Sequence, residues 1–408
     1  WDPMKYNYRY RLNPSDDVAK RLAWTLDTCR QVYNHFLHRL NRTSNTSAYS
    51  EITHLPALKA CWPEWKKVHS KVLQRVVQRL YHNLSRLNGL KQNGRRVGRL
   101  KWRSLRDYRS FTYSQSGFKL KNTSGRSRLW LSKIGNVPIV LHRDLPEGTE
   151  IKEITVKREP TGNWYACLSI ETPHNPPSKP ERPVRVVGID VGILKYVHDT
   201  DGRAVGSLDL SEERARLRHA HHRLSRKEYG SNNWESQRTT VARRQADLKR
   251  KRRDFLHKLS AYYAREYDLV AVEDLDTRSL FELPSTSRAR TDAAWGTFLR
   301  MLEQKCEREG THFIEVSPVD TTTECSKCGV KTDKPLWVRE HACPACGFET
   351  DRDANAARNI LNRALTRIGM GCPESTPAET ALPVETLVPA KRVVETGSPI
   401  PTQNQYGA

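Results

Sequence analysis

Val184-Arg-Val-Val-Gly-Ile-Asp-Val-Gly192 decides the fold of the C-terminal half of this chain. A short β-branched run, preceded by the proline-rich stretch Pro173 to Pro183 and closed by a glycine, reads as a buried strand following a linker. Asp190 stands at the end of that strand, so its carboxylate projects where the backbone turns away. Further along, Tyr267-Asp-Leu-Val-Ala-Val-Glu273 repeats the pattern, an apolar strand closed by an acid and followed by Asp274-Leu275. Between the two, Glu212 to Arg265 reads as long basic helices. Strand, helices and strand in that order predict an α/β layer fold. Two strand-end carboxylates on one sheet can converge at one edge.

A third acid can reach that edge from Thr350-Asp-Arg-Asp-Ala-Asn-Ala-Ala-Arg-Asn-Ile360. A helix begins there, with Ala356, Ala357, Ile360, Leu361, Ala364 and Ile368 on one side and Gly369 ending it. Asp351 suits the N-cap and Asp353 the inward position, although two residues of separation leave the register open. A cluster of hard oxygen ligands suits Mg²⁺. Two such ions, about 3.5 to 4 Å apart, would activate a water on one side of a phosphodiester and stabilise the leaving oxygen on the other. Singly, each acid also has a plainer explanation: a turn residue at Asp190, an edge charge at Glu273, a helix cap at Asp351 or Asp353.

Cys325-Ser-Lys-Cys328 and Cys343-Pro-Ala-Cys346 form two Cys-x-x-Cys knuckles, with residues 329–342 between them and a glycine (Gly329, Gly347) after each second cysteine. Four thiolates so arranged predict one tetrahedral Zn²⁺, and a closed Cys₄ set makes it structural rather than catalytic. It staples a loop too small to build its own core. The other five of the nine cysteines are scattered singly, which is no secreted disulfide framework.

Outward from these motifs, 408 residues are enough for several packed units. Tyr6 to Leu12 alternates like a strand. Asp16 to Arg103 reads helical, through Leu22, Leu26, Val32, Tyr33, Phe36 and then Val72, Val76, Val77, Leu80, Leu84. Phe111 to Ile170 breaks into short alternating segments, so the helices are expected to interrupt a barrel whose first strand precedes them. In the second basic helix Val241, Leu248, Phe255 and Tyr262 recur every seven residues and predict packing against a partner helix. Residues 371–408 lack an apolar period and are expected to stay disordered.

Lys and Arg number 69 against 46 acids, for a net charge of +23, an excess that calls for a polyanionic partner. Arg95, Arg96, Arg99, Lys101, Trp102 and Arg103, continuing through Arg106, Tyr108, Arg109, Phe111 and Tyr113, interleave cations with rings suited to phosphates and base stacking. No apolar run of 18 residues and no leader-like N-terminus is visible, so no membrane contact and a cytoplasmic, nucleoid-associated location are expected. Walker and dinucleotide-binding loops are absent.

Gly188-Ile-Asp-Val-Gly192, Val272-Glu-Asp-Leu275, the knuckles Cys325 to Cys346 and Asp351-Arg-Asp-Ala-Asn-Ala-Ala-Arg-Asn-Ile360, in that order, resemble the transposon-encoded TnpB proteins, relatives of the type V CRISPR nucleases. Cys29-Arg-Gln-Val-Tyr-Asn-His-Phe36 and Asp292-Ala-Ala-Trp-Gly-Thr-Phe298 add to the resemblance, which spans Tyr6 to Gly369. It implies a multidomain α/β plus β-barrel protein: a wedge-like β-barrel (1–12 and 109–180) with an inserted helical recognition domain (13–108), and an RNase H-like (RuvC) nuclease domain (181–320 and 351–370) holding a zinc ribbon (321–350) that binds target nucleic acid. Asp190, Glu273 and Asp353 become the catalytic, Mg²⁺-binding triad. The implied partners are a guide RNA from the transposon end and target double-stranded DNA cut beside a short flanking motif, in a monomeric ribonucleoprotein. The chain departs from its relatives at Asp320 and Glu324 and in its tail. Retention of all three acids argues against the alternative, a non-cleaving RNA-guided regulator, and nothing recognisable as a strand-transfer domain supports a transposase.

Overall fold

The structure is a computed structural model that describes residues 4–43, 46–123, 126–173, 176–192, 195–275, 294–335, 337–370 and 388–389. It divides into two compact units, one of residues 1–175 with 216–246, the other of residues 176–215 with 247–408. The tail expected to be disordered lies outside the described residues, apart from Val388–Pro389.

In the first unit a seven-stranded antiparallel sheet runs in the order β2 (Ser110–Ser114), β6 (Glu150–Arg158), β7 (Trp164–Thr172), β1 (Met4–Leu12), β5 (Gly135–Val140), β4 (Arg126–Leu131), β3 (Phe118–Thr123). Its two edge strands, β2 and β3, are joined by only Gln115, Ser116 and Gly117, with Gln115 and Gly117 at positive φ. So short a link brings the edges together, and the sheet is nearly closed. Strict alternation in β7, buried at every second residue from Trp164 to Thr172, supplies the inner face.

Between β1 and β2 the chain forms α1 (Asp16–Arg42), α2 (Ala48–Ile52), α3 (Leu55–Cys61) and α4 (Ser70–Gln92). Leu22, Leu26, Cys29, Tyr33 and Phe36 recur at turn spacing in α1 and are buried, as are Val72, Val76 and Leu80 in α4. These side chains share one core with the sheet, through Phe111, Tyr113, Leu168 and Ile170. Each buried leucine contributes about 1.5 to 3 kcal/mol relative to exposure. The basic stretch proposed for base stacking is corrected here: Tyr108, Phe111 and Tyr113 are buried at 4%, 1% and 1% exposure, because alternation in β2 turns Phe111 and Tyr113 into this core and Tyr108 packs beside Tyr33 of α1, 5.8 Å between ring centroids. Of its rings, Trp102 is exposed.

The second unit carries a five-stranded sheet in the order β10 (Ala204–Gly206), β9 (Lys195–Asp199), β8 (Val186–Val191), β11 (Leu269–Glu273), β12 (His312–Val316). The first three strands pair antiparallel, whereas β11 runs parallel to both β8 and β12. β11, paired on both sides, is buried at every residue, the near-continuous apolar run of a strand covered on both faces. After the helix α5 (Ser211–Ser225) the chain enters α6 (Asn232–Glu266), and on one face of the sheet Val187, Ile189, Val270 and Val272 pack against α6 and α7 (Trp295–Glu309), through Leu256, Tyr263, Phe298 and Leu302. On the other, Leu269 and Ala271 meet Ile360 and Ala364 of α8 (Arg352–Arg367).

The heptad seam in α6 departs from its reading. Phe255 meets Tyr196 of β9 edge-on, 5.1 Å between centroids, and Tyr262 joins the same core, so that part of the seam covers the sheet instead of a partner helix. An apolar sheet face of this width demands cover, and the rings of α6 supply it.

Gly188 shows why α8 can lie so close. A Cβ built there would stand 2.2 Å from the carbonyl oxygen of Ala357 and 2.9 Å from the Cβ of Leu361. Gly188→Ala must push helix from strand, at an expected cost of about 1 to 3 kcal/mol. A denaturant titration following unit 2 reads this as a lower midpoint, and an unchanged midpoint would mean that α8 does not rest on β8.

Candidate functional site

The register of the second sheet brings the acids together. Ile189 pairs with Val272 across the parallel β8–β11 ladder, which sets Asp190 level with Glu273 on strands about 4.8 Å apart. Residues two apart share a face, so Asp190 follows Gly188, and Glu273 follows Leu269 and Ala271, onto the α8 side. Ala357 lies against Gly188. Asp353 is one helical turn before Ala357, at the end of α8 beside the strand ends. All three acids therefore reach the C-terminal edge of the sheet from one face.

The register left open between the two aspartates is resolved by hydrogen bonds. Asp351 is the N-cap, its Oδ1 accepting from the backbone N–H of Asp353 at 2.8 Å and of Ala354 at 3.4 Å. Its Oδ2 accepts from Lys195 Nζ at 2.8 Å. Burial pushes the Asp351 carboxyl up, but the Lys195 ammonium and the helix N–H groups outweigh it and hold the group below its ordinary range. Asp353 is thereby left free to face inward.

Asp190 is in the opposite state. Desolvation, then the neighbouring carboxylates of Glu273 and Asp353, raise its pKa well above the ordinary value, and Arg339 and Arg352 offset this only in part. Glu273, 8% exposed, is also raised by burial, against the hydroxyl of Thr321, which donates to Oε1 at 2.5 Å, and the charge of Arg363. Arg339 donates to Asp353 Oδ2 at 2.5 Å. Among the described residues, the one group of potential ligands whose atoms all lie within 4.8 Å of one another is the cysteine set, so the three acids are near neighbours without being drawn into one tight cluster.

Cys325, Cys328, Cys343 and Cys346 meet as a group, with Sγ–Sγ separations of 3.8 Å for Cys325–Cys346 and 3.5 Å for Cys328–Cys343. A tetrahedron with Zn–S bonds of about 2.3 Å requires sulfurs about 3.8 Å apart, so the spacing fits a metal site. Both knuckles repeat one turn: Gly329 N–H donates to Cys325 O and Gly347 N–H to Cys343 O, each at 2.9 Å, with φ of +77° and +68°. After the two-residue strand β13 (Thr332–Asp333), the second knuckle is flanked by the hairpin β14 (Glu340–Ala342) and β15 (Glu349–Asp351), whose last residue is the cap of α8. Arg339 immediately precedes that hairpin. The cysteine site and the acid site are thus mechanically continuous.

Sequence reasoning missed the residues that fasten this region. Asn355 donates to Glu324 O at 2.7 Å and accepts from Ser326 N–H at 2.9 Å, while Asn359 donates to the carbonyls of Thr321 and Glu324 at 2.8 and 2.7 Å. Arg363 pairs with Glu324 at 2.6 Å, which gives that unusual acid a structural partner. The i, i+4 asparagines on one buried helix face were a usable signal. Thr321 and Arg339 carried none.

Comparison with known proteins gives the family of the chain. Three family models match: "Cas12f1-like, TNB domain" over residues 295–360, "Probable transposase" over 166–283 and "Helix-turn-helix domain" over 4–46. The last region here is strand β1 followed by the single long helix α1. A protein of Streptomyces pristinaespiralis named "Putative RNA-guided DNA endonuclease" is 33% identical over 90% of this chain and 91% of its own. InsQ of Escherichia coli (strain K12), carrying the same description, is 26% identical over 87% and 91%. A solved Cas12f1–sgRNA–target DNA complex shares the fold at a TM-score of 0.60 and 14% identity, over 89% of this chain and 99% of that one. The matches define a protein of the transposase and Cas12f-like class. Within it, the chain belongs to the TnpB family of RNA-guided DNA endonucleases.

Proposed function

We propose that this chain is the protein half of an RNA-guided DNA endonuclease encoded by a transposable element, cutting target DNA beside a short flanking motif at an RNase H-like (RuvC-type) site. One observation carries the reading: strand register and the close approach at Gly188 direct Asp190, Glu273 and Asp353 to one sheet edge. The order β10-β9-β8-β11-β12, three strands antiparallel and then two parallel, supports an RNase H-like frame.

The donor set fits Mg²⁺, because a divalent cation relieves the Asp190 carboxylate, which burial and the neighbouring Glu273 and Asp353 carboxylates disfavour, and the Glu273 carboxylate, which burial disfavours. Bound there, two cations would supply an activated water and a stabilised leaving oxygen. The protein's part is positional. Thr321 fixes the Glu273 carboxylate, Asp351 relieves Asp353 of capping, and Arg339 neutralises Asp353 until a cation takes that role. The Cys₄ group holds a structural Zn²⁺. The +23 charge provides for RNA and DNA phosphates, with base pairing reading the sequence, and the working unit is one chain with one guide RNA in the cytoplasm.

The test is a plasmid assay with ribonucleoprotein purified together with its guide. Matched plasmid should become linear in Mg²⁺ and stay intact, though bound, when the metal is chelated. Binding without cleavage in Mg²⁺ would move the protein to the class of RNA-guided regulators.

A further inference from the structure

In the first unit, a cavity of about 320 Å³ is lined by Arg106, Arg109, Arg158, Arg238, Glu159 and Glu235. Its size is at the lower end of small-ligand clefts, roughly 300 to 1,000 Å³, room for a single nucleotide but not for a duplex. Arg109 and Arg158 are cross-strand neighbours at the end of the β2–β6 ladder, where Arg158 N–H donates to Arg109 O at 2.8 Å. Like charges side by side on a sheet repel. Arg109 Nε donates to the Arg106 carbonyl at 2.6 Å and the Arg158 guanidinium lies 5.7 Å from the Trp164 ring centroid, while the two lining carboxylates pair elsewhere, Glu159 with Arg9 and Glu235 with Arg106 and Arg238, so the fold holds these two cations side by side in the cavity lining.

A stacking surface adjoins them. Tyr229 is 75% exposed, its ring 4.7 Å from that of Trp234, and the guanidinium of Arg106 lies 5.1 Å from the Trp234 centroid and 5.7 Å from that of Tyr229. Glu235 fixes Arg106 in that place through an ion pair of 2.5 Å. The exposed Tyr229 ring, set edge-on to half-buried Trp234 and held by Arg106, which donates to its hydroxyl at 3.0 Å, offers a π face to an unpaired base. The two carboxylates among the lining residues would oppose a bare phosphate, but a carboxylate oxygen beside its arginine partner can also accept from a ribose 2′-hydroxyl, which DNA lacks.

We infer that this cavity takes one unpaired nucleotide of the guide RNA, splayed from its helix, with Arg109 and Arg158 on the flanking phosphates and the base against the Tyr229–Trp234 surface. RNA is favoured over DNA because RNA is read chiefly at unstacked single-stranded positions, the target strand is held in base pairs with the guide, and the displaced DNA strand has no 2′-hydroxyl for the lining carboxylates. The inference rests on the proposed guided function and specifies where on the chain the guide is gripped.

The test compares wild-type ribonucleoprotein with the double variant Arg109→Ala, Arg158→Ala, using 2′-hydroxyl acylation of the bound guide and RNA affinity across a salt series. One unpaired guide nucleotide is expected to be protected in the wild type and reactive in the variant, with the rest of the profile unchanged. RNA affinity should fall about tenfold or more, and the slope of log affinity on log salt should shrink by about 1.4, two single-strand phosphates at about 0.7 each. Tyr229→Ala, at an exposed position, should unmask the same nucleotide. An identical profile and slope in both variants would overturn the pocket while leaving the guided function standing, as would loss of target DNA binding with RNA contacts intact. A wild-type protein that binds no RNA would instead remove the function on which the inference rests.

Discussion

Asp190→Asn should lower cleavage of matched plasmid by at least about 10³-fold, since losing one cation ligand forfeits several kcal/mol of transition-state stabilisation at about 1.4 kcal/mol per decade. Guided DNA binding should stay within about threefold of wild type, because the variant touches no phosphate-binding cation of the first unit. Stability should not fall. Asparagine has the shape of aspartate, and it removes a charge that burial, Glu273 and Asp353 all oppose. The melting temperature of the variant is therefore expected to equal or exceed that of the wild type. This combination, a dead and undamaged protein, separates a ligand from a structural strand-end residue, whose loss would lower the melting temperature first. Glu273→Gln keeps an acceptor for Thr321 and should behave alike. Cleavage by either variant within tenfold of wild type would remove the acids from the chemistry.

That Asp190 and Glu273 could be picked out beforehand follows from where they stand. Each terminates a run of buried residues, so local pattern alone places it at a strand end, and two strands of one sheet have few ways to disagree about which edge that is. Asp353 was half legible. Its helix was clear from Ala356, Ala357, Ile360 and Ala364, but which of two acids caps and which faces inward depends on the N–H groups that Asp351 captures, a matter of about 200° of helical rotation. Thr321 and Arg339 were illegible, because neither sits in a periodic element and each meets its acid only after the cysteine loops fold back over the sheet. In the first unit the strand segments were readable, whereas the order that sets β1 between β7 and β5 is a property of long-range pairing that no short window contains. The stretch from Arg95 to Tyr113 misled for a related reason: its aromatics alternate into a core whose existence depends on strands 40 residues and more away, such as β6.

Cys343→Ser should have the second large effect, and by a route that tests the continuity between the two centres. Structural zinc in small ribbons is worth about 10 to 16 kcal/mol of apparent binding free energy, comparable with the whole stability of a domain, so a knuckle without its metal cannot be held by its short strands alone. β14 and β15 are three residues each, and their far ends carry Arg339 beside Asp353 and Asp351 at the start of α8. Loosening the hairpin frees the partner of Asp353 and the cap of α8 together. Wild-type protein purified without chelator is expected to hold about one zinc per chain, and the variant none. Limited proteolysis should open the variant within residues 321–350, cleavage should drop by about 100-fold or more, and guide RNA affinity should persist, since the first unit has its own core. Unlike Asp190→Asn, this variant should lose thermal stability, so the two inactive proteins differ in a quantity measured without substrate. Zinc absent from the wild type, or a zinc-free Cys343→Ser protein that cuts as well as the wild type, would show that the four sulfurs do not brace the acid site.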